Sequence, residues 1–351
     1  MQQSRMRAWK KASSLSALLC CAALAVAAPA SAEDVAAFYA GKQLRVLSPF
    51  EINGGYGQLV RVIASFLPKY LPGHPTGVPQ YMPGAGGLRG TNYMGTSAPR
   101  DGTVISILYD SMPATQVTDP SEVRFDARKF NVLGSLNKGD FGLISVLKTA
   151  GVATIEEATR KELWFGATGT GSAQFYVLQA ANKLLATKFK IIPGYPSVSD
   201  QYLAMEKGEL HAIFTNYSII QLGRPQWFRD NKLDFLAQLG IERDRRFASV
   251  PLMQELTDDA QSKQIFEFLA LSRVTGKAFF APPDVPADRL AALREAFAAT
   301  LRDPEARDAI FKLRQELDPR DWRAAQDVIM RTVNTAPDVI TRVQDLIKTA
   351  N

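Results

Sequence analysis

Hydrophobic and polar positions along the chain alternate between short strand-like runs and longer stretches with helical spacing. The run at 43–48 (QLRVLS) is typical of a short buried strand. After it, apolar residues recur at the spacing of one helical face, at Leu59, Val62, Ile63, Phe66 and Leu67. The other predicted strands are 78–82, 103–109, 163–167, 188–192, 211–215 and 233–239. Strands that alternate with helices in this way predict parallel sheets covered by helices.

Local signals mark where several of these helices begin. Thr154 with Glu157 three residues later forms a capping box before a helical stretch. Asp303 followed by Pro304 has the pattern of a cap residue and a proline at the first helical position. The chain beyond the strands is mostly helical, with one apolar stripe at Leu290, Leu293, Phe297 and Leu301.

Two small-residue turns connect a predicted strand to a predicted helix, at 51–57 and at 168–172. Such turns lie at the carboxyl edge of a parallel sheet, where ligands bind in open α/β folds. Free N–H groups and the positive end of the helix dipole favour an anion there, and Thr168, Thr170 and Ser172 add hydroxyl donors. Two such turns facing each other would hold a carboxylate without a lysine or arginine. One glycine-rich turn alone is more often just a tight turn.

The first 32 residues differ from the rest of the chain. A basic start is followed by an apolar stretch at 15–28 and by Ala-Ser-Ala at 30–32, which together predict a cleavable secretory signal. The stretch is shorter than the roughly 20 residues that span a membrane, so a permanent anchor is disfavoured. Cys20 and Cys21 leave lipid attachment open as an alternative. We expect export to the periplasm, with cleavage after Ala32.

The rest of the composition is that of a globular chain. Its 351 residues are 46% apolar and 22% charged, which allows more than one lobe and argues against disorder. The signal contains four basic residues and no acidic ones, so cleavage lowers the formal charge from +6 to +2. The basic charge is therefore no evidence for binding nucleic acid. Both cysteines also lie in the signal, so the mature chain has no disulfide and no thiolate site.

Patterns typical of enzymes are missing from the sequence. Neither turn ends in Gly-Lys-Ser/Thr or has the spaced three-glycine fingerprint of a nucleotide site. Ser172 lacks the second glycine of a nucleophile elbow. The two histidines, His74 and His211, are far apart and make a poor metal site. We therefore expect no enzymatic activity, no metal and no cofactor, with a secreted hydrolase as a less favoured alternative.

Several segments resemble the substrate-binding proteins of tripartite tricarboxylate transporters, also called Bug receptors. The segment 82–87 (MPGAGG) is similar to the family's N-x-P-G-A-G-G run, and 98–103 (APRDGT) to its A-P-x-D-G-y/t step. The first turn, from Pro49-Phe50 to Gly54-Gly55, resembles P-F-x-x-G-G. The second, at 166–172 (GATGTGS), resembles G-x-x-G-x-G-S/T. Weaker similarities at 194–195, 207–214 and 280–286 follow in family order.

This resemblance implies an α/β, two-lobed periplasmic-binding-protein (Venus-flytrap) fold whose lobes are hinged by crossing strands. Lobe one would contain 33–137 and 275–351, and lobe two 138–274. The ligand would be a small carboxylate, either a di- or tricarboxylate or an aromatic acid, held between the lobes by loop backbone, hydroxyls and ordered waters. The protein would be a monomeric receptor that delivers this ligand to inner-membrane subunits of an ion-gradient-driven transporter. A receptor that reports to a sensor kinase is the alternative.

The family's ligand contacts can be transferred to this chain position by position. The transferred residues are Phe50, Gly54, Gly55, Tyr56, Thr168, Thr170, Gly171, Ser172, Tyr195 and Asn216. The chain departs from the family pattern at Gln58, where many members have an acid. It also has Ile52 and Asn53 where they have prolines. The identity of the carboxylate therefore stays open.

Overall fold

The computed structural model describes residues 32–348 except Asp140 and Gly171. The chain builds one five-stranded sheet, crosses to a second, and returns to the first. The elements before the crossing are α1 (Ala32–Tyr39), β1 (Gln43–Ser48), α2 (Gly55–Phe66), β2 (Thr76–Tyr81), α3 (Leu88–Thr96), β3 (Val104–Ile107), α4 (Met112–Thr118) and β4 (Asn131–Ser135). The predicted secretory signal lies outside the described residues, apart from Ala32.

The second sheet and its helices form the middle of the chain. They are β5 (Gly142–Leu147), α5 (Ile155–Ala158), β6 (Leu163–Ala167), α6 (Ala173–Leu185), β7 (Phe189–Pro193), α7 (Val198–Glu206), β8 (Ala212–Asn216), α8 (Tyr217–Gly223), α9 (Pro225–Arg229), β9 (Leu233–Leu239) and α10 (Ala260–Leu271). The returning elements are β10 (Ala278–Ala281), α11 (Ala287–Thr300), α12 (Pro304–Lys312), α13 (Trp322–Val333) and α14 (Pro337–Lys348).

Each sheet is mixed, whereas the alternating pattern predicted parallel sheets. The strand orders are β2-β1-β3-β10-β4 and β7-β6-β8-β5-β9. In the first sheet β10 runs antiparallel to both neighbours, and in the second β5 does. These two strands are the ones that arrive from the other lobe. A strand that enters from the opposite lobe starts at the carboxyl edge of its new sheet, and it therefore runs against the parallel strands that end there.

Helices pack on both faces of each sheet. The predicted apolar face of α2 lies in the core of the first lobe, where Leu59, Ile63 and Leu67 are fully buried. Helices α6 and α10 cover the core of the second lobe. The C-terminal helix α14 packs on α6 and α10 as well as on α4. It therefore contacts both lobes, and the predicted lobe boundaries stay a prediction.

The helix starts predicted from local signals are present. Thr154 Oγ1 accepts from the Glu157 N–H at 3.2 Å, although α5 then runs only to Ala158. The Glu157 carboxylate accepts from the Ala153 N–H rather than from that of Thr154. Asp303 caps α12 by accepting from two backbone N–H groups of its first turn. Within the described part of the chain, no helix combines the length and apolar character needed to cross a membrane.

The chain crosses between the sheets at 136–141 and at 272–277, and residues 136–139 pack against the second crossing segment. The Asn137 N–H donates to the Gly276 carbonyl at 3.2 Å. A Cβ at Gly276 would lie 1.8 Å from the backbone carbonyl oxygen of Asn137. A Cβ at Gly139 would lie 2.3 Å from Cα of Val274. Both glycines also have positive φ, +71° and +88°. Only glycine fits these positions, so the close contact of the two crossing segments depends on them.

Candidate functional site

The first predicted ligand loop lies beside a group of three aromatic rings at the carboxyl edge of the first sheet. The ring centroid of Phe50 lies 5.1 Å from that of Tyr56 and 5.2 Å from that of Tyr109. Tyr56 and Tyr109 are 5.7 Å apart. We call these three residues the aromatic cluster. Gly54 and Gly55 are exposed beside it, so the loop presents open backbone next to an apolar wall.

Asp110 joins the aromatic cluster to the crossing segment. The Tyr56 hydroxyl donates to Oδ2 of Asp110 at 3.1 Å. On its other oxygen Asp110 accepts from the Thr275 hydroxyl at 2.6 Å and from the Lys277 N–H at 2.9 Å. Burial, and then the charge of Asp110, raises the pKa of Tyr56 well above its usual value. Tyr56 therefore stays a neutral donor, and Asp110 has accepted contacts on both oxygens.

The second predicted loop uses its own donors internally. Ser172 is the N-cap of α6, where its Oγ accepts from the Phe175 N–H at 3.3 Å and donates to the Gly169 carbonyl at 2.7 Å. Thr168 is exposed, and its N–H donates to the Gln174 side chain at 3.1 Å. Thr170 is half-buried. A ligand at this loop must therefore replace contacts that the loop already makes.

Gln174 holds this loop in place through a network that sequence reasoning missed. Its amide nitrogen donates to the Gln201 side chain and to the Phe214 carbonyl, each at 3.0 Å. Gln201 is fully buried and donates back to Gln174 at 3.1 Å. The start of α6 is thus tied to α7 and β8. No sequence motif marks a glutamine that ties a loop to its neighbours, so this role of Gln174 becomes visible only from its contacts in the structure.

Asn216 lies at the end of β8 and contacts an arginine on the crossing segment. Its Oδ1 accepts from Arg273 Nη2 at 3.0 Å, and Asn216 is buried. The Arg273 guanidinium lies 5.7 Å from the ring centroid of Phe214. Burial raises the pKa of the Tyr176 hydroxyl, while the positive charge of Arg273 lowers it and Tyr109 raises it further. Arg273 and Tyr109 thus both act electrostatically on the Tyr176 hydroxyl.

The remaining predicted contacts have different surroundings. The Tyr195 N–H donates to the Ala167 carbonyl at 3.1 Å. Its side chain packs against an apolar cluster of the second lobe that includes Tyr202 and Leu210. Gly171 lies outside the described residues. The structure thus groups Phe50 with Tyr56 on one lobe, and it places Ser172 and Asn216 at the loop ends of the other.

The site contains residues that the sequence reasoning did not select, namely Tyr109, Asp110, Tyr176 and Arg273. Tyr109 is the last residue of the predicted strand 103–109 and Asp110 directly follows it, so the rule that selected the two loops applies to them as well. Arg273 follows a helix and has no motif around it, so only the fold brings it to Asn216. Across the described ranges, 32–348 without Asp140 and Gly171, no group of three or more His, Cys, Asp or Glu side chains is placed to hold a metal ion.

Comparison with known proteins adds the following findings. The sequence model described as "Tripartite tricarboxylate transporter family receptor" matches residues 59–351. A TctC solute-binding protein from Polaromonas, solved without ligand, has 21% identity and a TM-score of 0.68 over 89% of this chain and 99% of its own. A protein from R. palustris solved with adipate has 18% identity and a TM-score of 0.51 over 88% and 97%. Periplasmic binding protein BugD has 16% identity and a TM-score of 0.50 over 89% and 98%. No curated protein sequence matches the chain.

Proposed function

Because the chain belongs to the tripartite tricarboxylate transporter receptor family, we propose that it captures a small carboxylate and delivers it to the membrane subunits of such a transporter. The match over residues 59–351 confirms the family that the sequence resembles, and the structural likenesses confirm the two-lobed α/β fold. The chain is thus a solute-binding receptor. The class of ligand, the delivery to a transporter and the location in the periplasm are the proposed parts.

One observation carries the proposal for a carboxylate. In each lobe a β-strand ends in a loop that leads into a helix start, β1 into α2 and β6 into α6. Backbone N–H groups at a helix start, together with the helix dipole, favour an anion. The aromatic cluster beside the first loop supplies an apolar wall for the rest of the ligand. A charged head and an apolar body match a dicarboxylate or an aromatic acid, and the R. palustris protein was solved with adipate.

The surroundings of the histidines support binding rather than catalysis. His211 Nδ1 accepts from the Trp164 N–H at 3.1 Å, beside a β-strand of the second sheet. His74 Nδ1 lies 3.3 Å from the Pro68 carbonyl. In each histidine Nδ1 is thus engaged by local backbone. We therefore propose a receptor without enzymatic activity.

A thermal-denaturation screen of the exported protein tests the proposed ligand class. The panel contains acetate, succinate, malate, adipate, citrate and benzoate, with adipamide as the uncharged match of adipate. A ligand at 100 times its Kd stabilises the folded state by about 2.7 kcal/mol. We expect at least one carboxylate to raise the melting temperature and adipamide to have no effect. The proposal is wrong if no carboxylate stabilises the protein or if the amide does so equally.

The proposed location has its own test. Amino-terminal sequencing of the protein from a periplasmic extract should begin at Glu33, because the sequence predicts cleavage after Ala32. A mature chain that begins at Cys20 or Cys21 and carries lipid would show an anchored receptor instead. A chain that keeps its first residues would show that no signal is cleaved.

A further inference from the structure

Arg273 lies on the crossing segment between α10 and β10, and part of its hydrogen-bonding capacity is unused. The residue is half-buried, and Nη2 donates to Asn216 Oδ1 at 3.0 Å. Its Nε is fully buried and has no hydrogen-bond partner. Buried donors without an acceptor are rare, because nothing replaces the water that they lose. This N–H is therefore available to a group that the described residues do not supply.

The positive charge of Arg273 is also without a carboxylate among the described residues. Other arginines near the crossing segments do have carboxylate partners, as Arg246 has in Asp244 and Arg320 in Glu242. Asp110 also contacts this crossing segment, but its two oxygens already accept from Tyr56, Thr275 and Lys277. A guanidinium cannot lose its proton at ordinary pH. Arg273 is thus a fixed, unpaired positive charge in a partly buried place.

The surroundings of Arg273 are those of the proposed ligand site. Its guanidinium is near the ring of Phe214, and its charge acts on the Tyr176 hydroxyl. Tyr109, a member of the aromatic cluster, acts on the same hydroxyl. Two residues further along the same segment, the Thr275 hydroxyl donates to Asp110, which also accepts from Tyr56 of the aromatic cluster. The segment that carries Arg273 therefore joins Asn216 of the second lobe to the aromatic wall of the first.

We propose that Arg273 binds the ligand carboxylate through its Nε–H and a hydrogen of Nη2, with Asn216 holding the guanidinium in place. Two parallel N–H donors match the two oxygens of a carboxylate and select it against a neutral group of the same shape. This inference rests on the proposed function and names the residue that recognises the ligand's charged end. It differs from the sequence expectation that a carboxylate is held without an arginine. Because Arg273 lies on a crossing segment, ligand binding also contacts the hinge directly.

Substitutions at this position test the assignment by calorimetry. The probe is the panel carboxylate that most stabilises the wild-type protein. We expect Arg273→Gln to weaken its binding tenfold to hundredfold, because the charge and the paired donors are lost. Arg273→Lys should have an intermediate effect, because it keeps the charge but not the fork. The matched control is Arg128→Gln, which removes the same charge from an exposed turn where Arg128 pairs with Asp126. We expect this control to bind within twofold of wild type.

Nitrogen NMR provides a second readout, in which binding is followed on the wild-type protein itself. The Arg273 Nε–H resonance is assigned by its absence in Arg273→Lys, and it should move downfield as the carboxylate is added. Equal affinity of wild type and Arg273→Gln, or an unmoved Nε–H resonance at saturation, would overturn the inference and leave the proposed function intact. If no carboxylate stabilises the wild-type protein, the proposed function fails and this assignment fails with it.

Discussion

Ser172 has one hydroxyl hydrogen, and the protein uses it for the Gly169 carbonyl. The same oxygen caps α6. We therefore expect Ser172→Ala to lower the free energy of unfolding by roughly 1 kcal/mol, the usual effect of losing an N-cap. Its effect on carboxylate affinity should be smaller than that of Arg273→Gln. Urea denaturation without ligand and calorimetry with ligand measure the two effects.

Thr154→Ala is the matched control for Ser172→Ala, because it removes the N-cap of α5 in the same lobe. It should lower stability as well but leave carboxylate affinity unchanged. Unchanged stability in Ser172→Ala would show that the hydroxyl does not cap α6. A larger loss of affinity than in Arg273→Gln would show that Ser172, and not the arginine, is the main contact of the carboxylate.

Gly57 is the glycine of the first loop that has no room for a side chain. A Cβ there would lie 2.2 Å from the Glu51 carbonyl oxygen, whereas a Cβ at Gly55 meets nothing within 4 Å. We expect Gly57→Ala to cost roughly 1–3 kcal/mol of stability through overpacking. Gly55→Ala, in a negative-φ position at the start of α2, should be neutral or add roughly 0.4–1 kcal/mol. Denaturant midpoints of both variants check this order, and the reverse order would contradict it.

The sequence identified these loops but not which of their atoms are free. The glycine-rich turns stood out because strand, turn and helix are consecutive along the chain. Whether Ser172 donates to a ligand or to Gly169 depends on distances that no spacing encodes. Arg273 was missed for the same reason, since its contact with Asn216 joins residues that are far apart in sequence. The predicted ligand contacts therefore stay a prediction.

At the scale of single elements, Asp303 shows how a local signal extends into a tertiary contact. Besides capping α12, it accepts from Tyr70 at 2.5 Å and from Lys69 at 2.9 Å. These two hydrogen bonds are the main reason why the pKa of Asp303 lies well below its usual value. A pKa lowered on folding stabilises the protein above the unfolded-state pKa of about 3.9, and this stabilisation is lost as the pH falls through the folded-state pKa.

Asp303→Asn should therefore destabilise the protein at neutral pH, and the loss of stability should be smaller in acid. We expect a lower melting temperature than wild type at pH 7, and a difference that shrinks as the pH falls below about 4. Asp308→Asn is the control on the same helix, since Asp308 forms an exposed ion pair with Lys312. A melting-temperature difference for Asp303→Asn that is constant or grows between pH 7 and pH 3 would contradict this assignment.

Strands with a local apolar pattern were predictable, but their direction was not. The predicted strand at 43–48 matches β1, and 233–239 matches β9. The strands β4, β5 and β10 were not predicted, and two of them are the antiparallel members of their sheets. Their direction follows from the path of the chain between lobes. That path is a property of the whole molecule, so no window of local sequence contains it.

At the scale of the whole molecule, an ion pair links the end regions of the two lobes near the crossing segments. Arg246, which follows β9, donates to Glu316 at 2.8 Å and also pairs with Asp244. Glu316 is half exposed and follows α12. Exposed pairs contribute about 0–1 kcal/mol, and salt screens them. The pair is therefore too weak to hold the fold together, but it can slightly favour one relative position of the two lobes.

Glu316→Gln should therefore change the relative stability of the lobe positions, and with it the carboxylate affinity, only slightly. We expect the carboxylate Kd to change by at most about fivefold, the equivalent of about 1 kcal/mol. Wild type and variant should converge at 1 M salt, where the screening length is about 3 Å. Glu206→Gln is the control, because Glu206 pairs with Arg224 inside the second lobe. A difference between wild type and Glu316→Gln that persists at high salt would show that the glutamate acts by another route than its charge.

A crystal structure with the best-binding carboxylate tests most directly whether the ligand is held between the lobes. We predict ligand density that contacts the aromatic cluster on one side and residues 168–172 on the other, with a carboxylate at hydrogen-bonding distance from Arg273 Nε. The main rival position is the groove of about 490 Å³ between α10, α13 and α14. A carboxylate found in that groove, or against one lobe alone, would contradict the account.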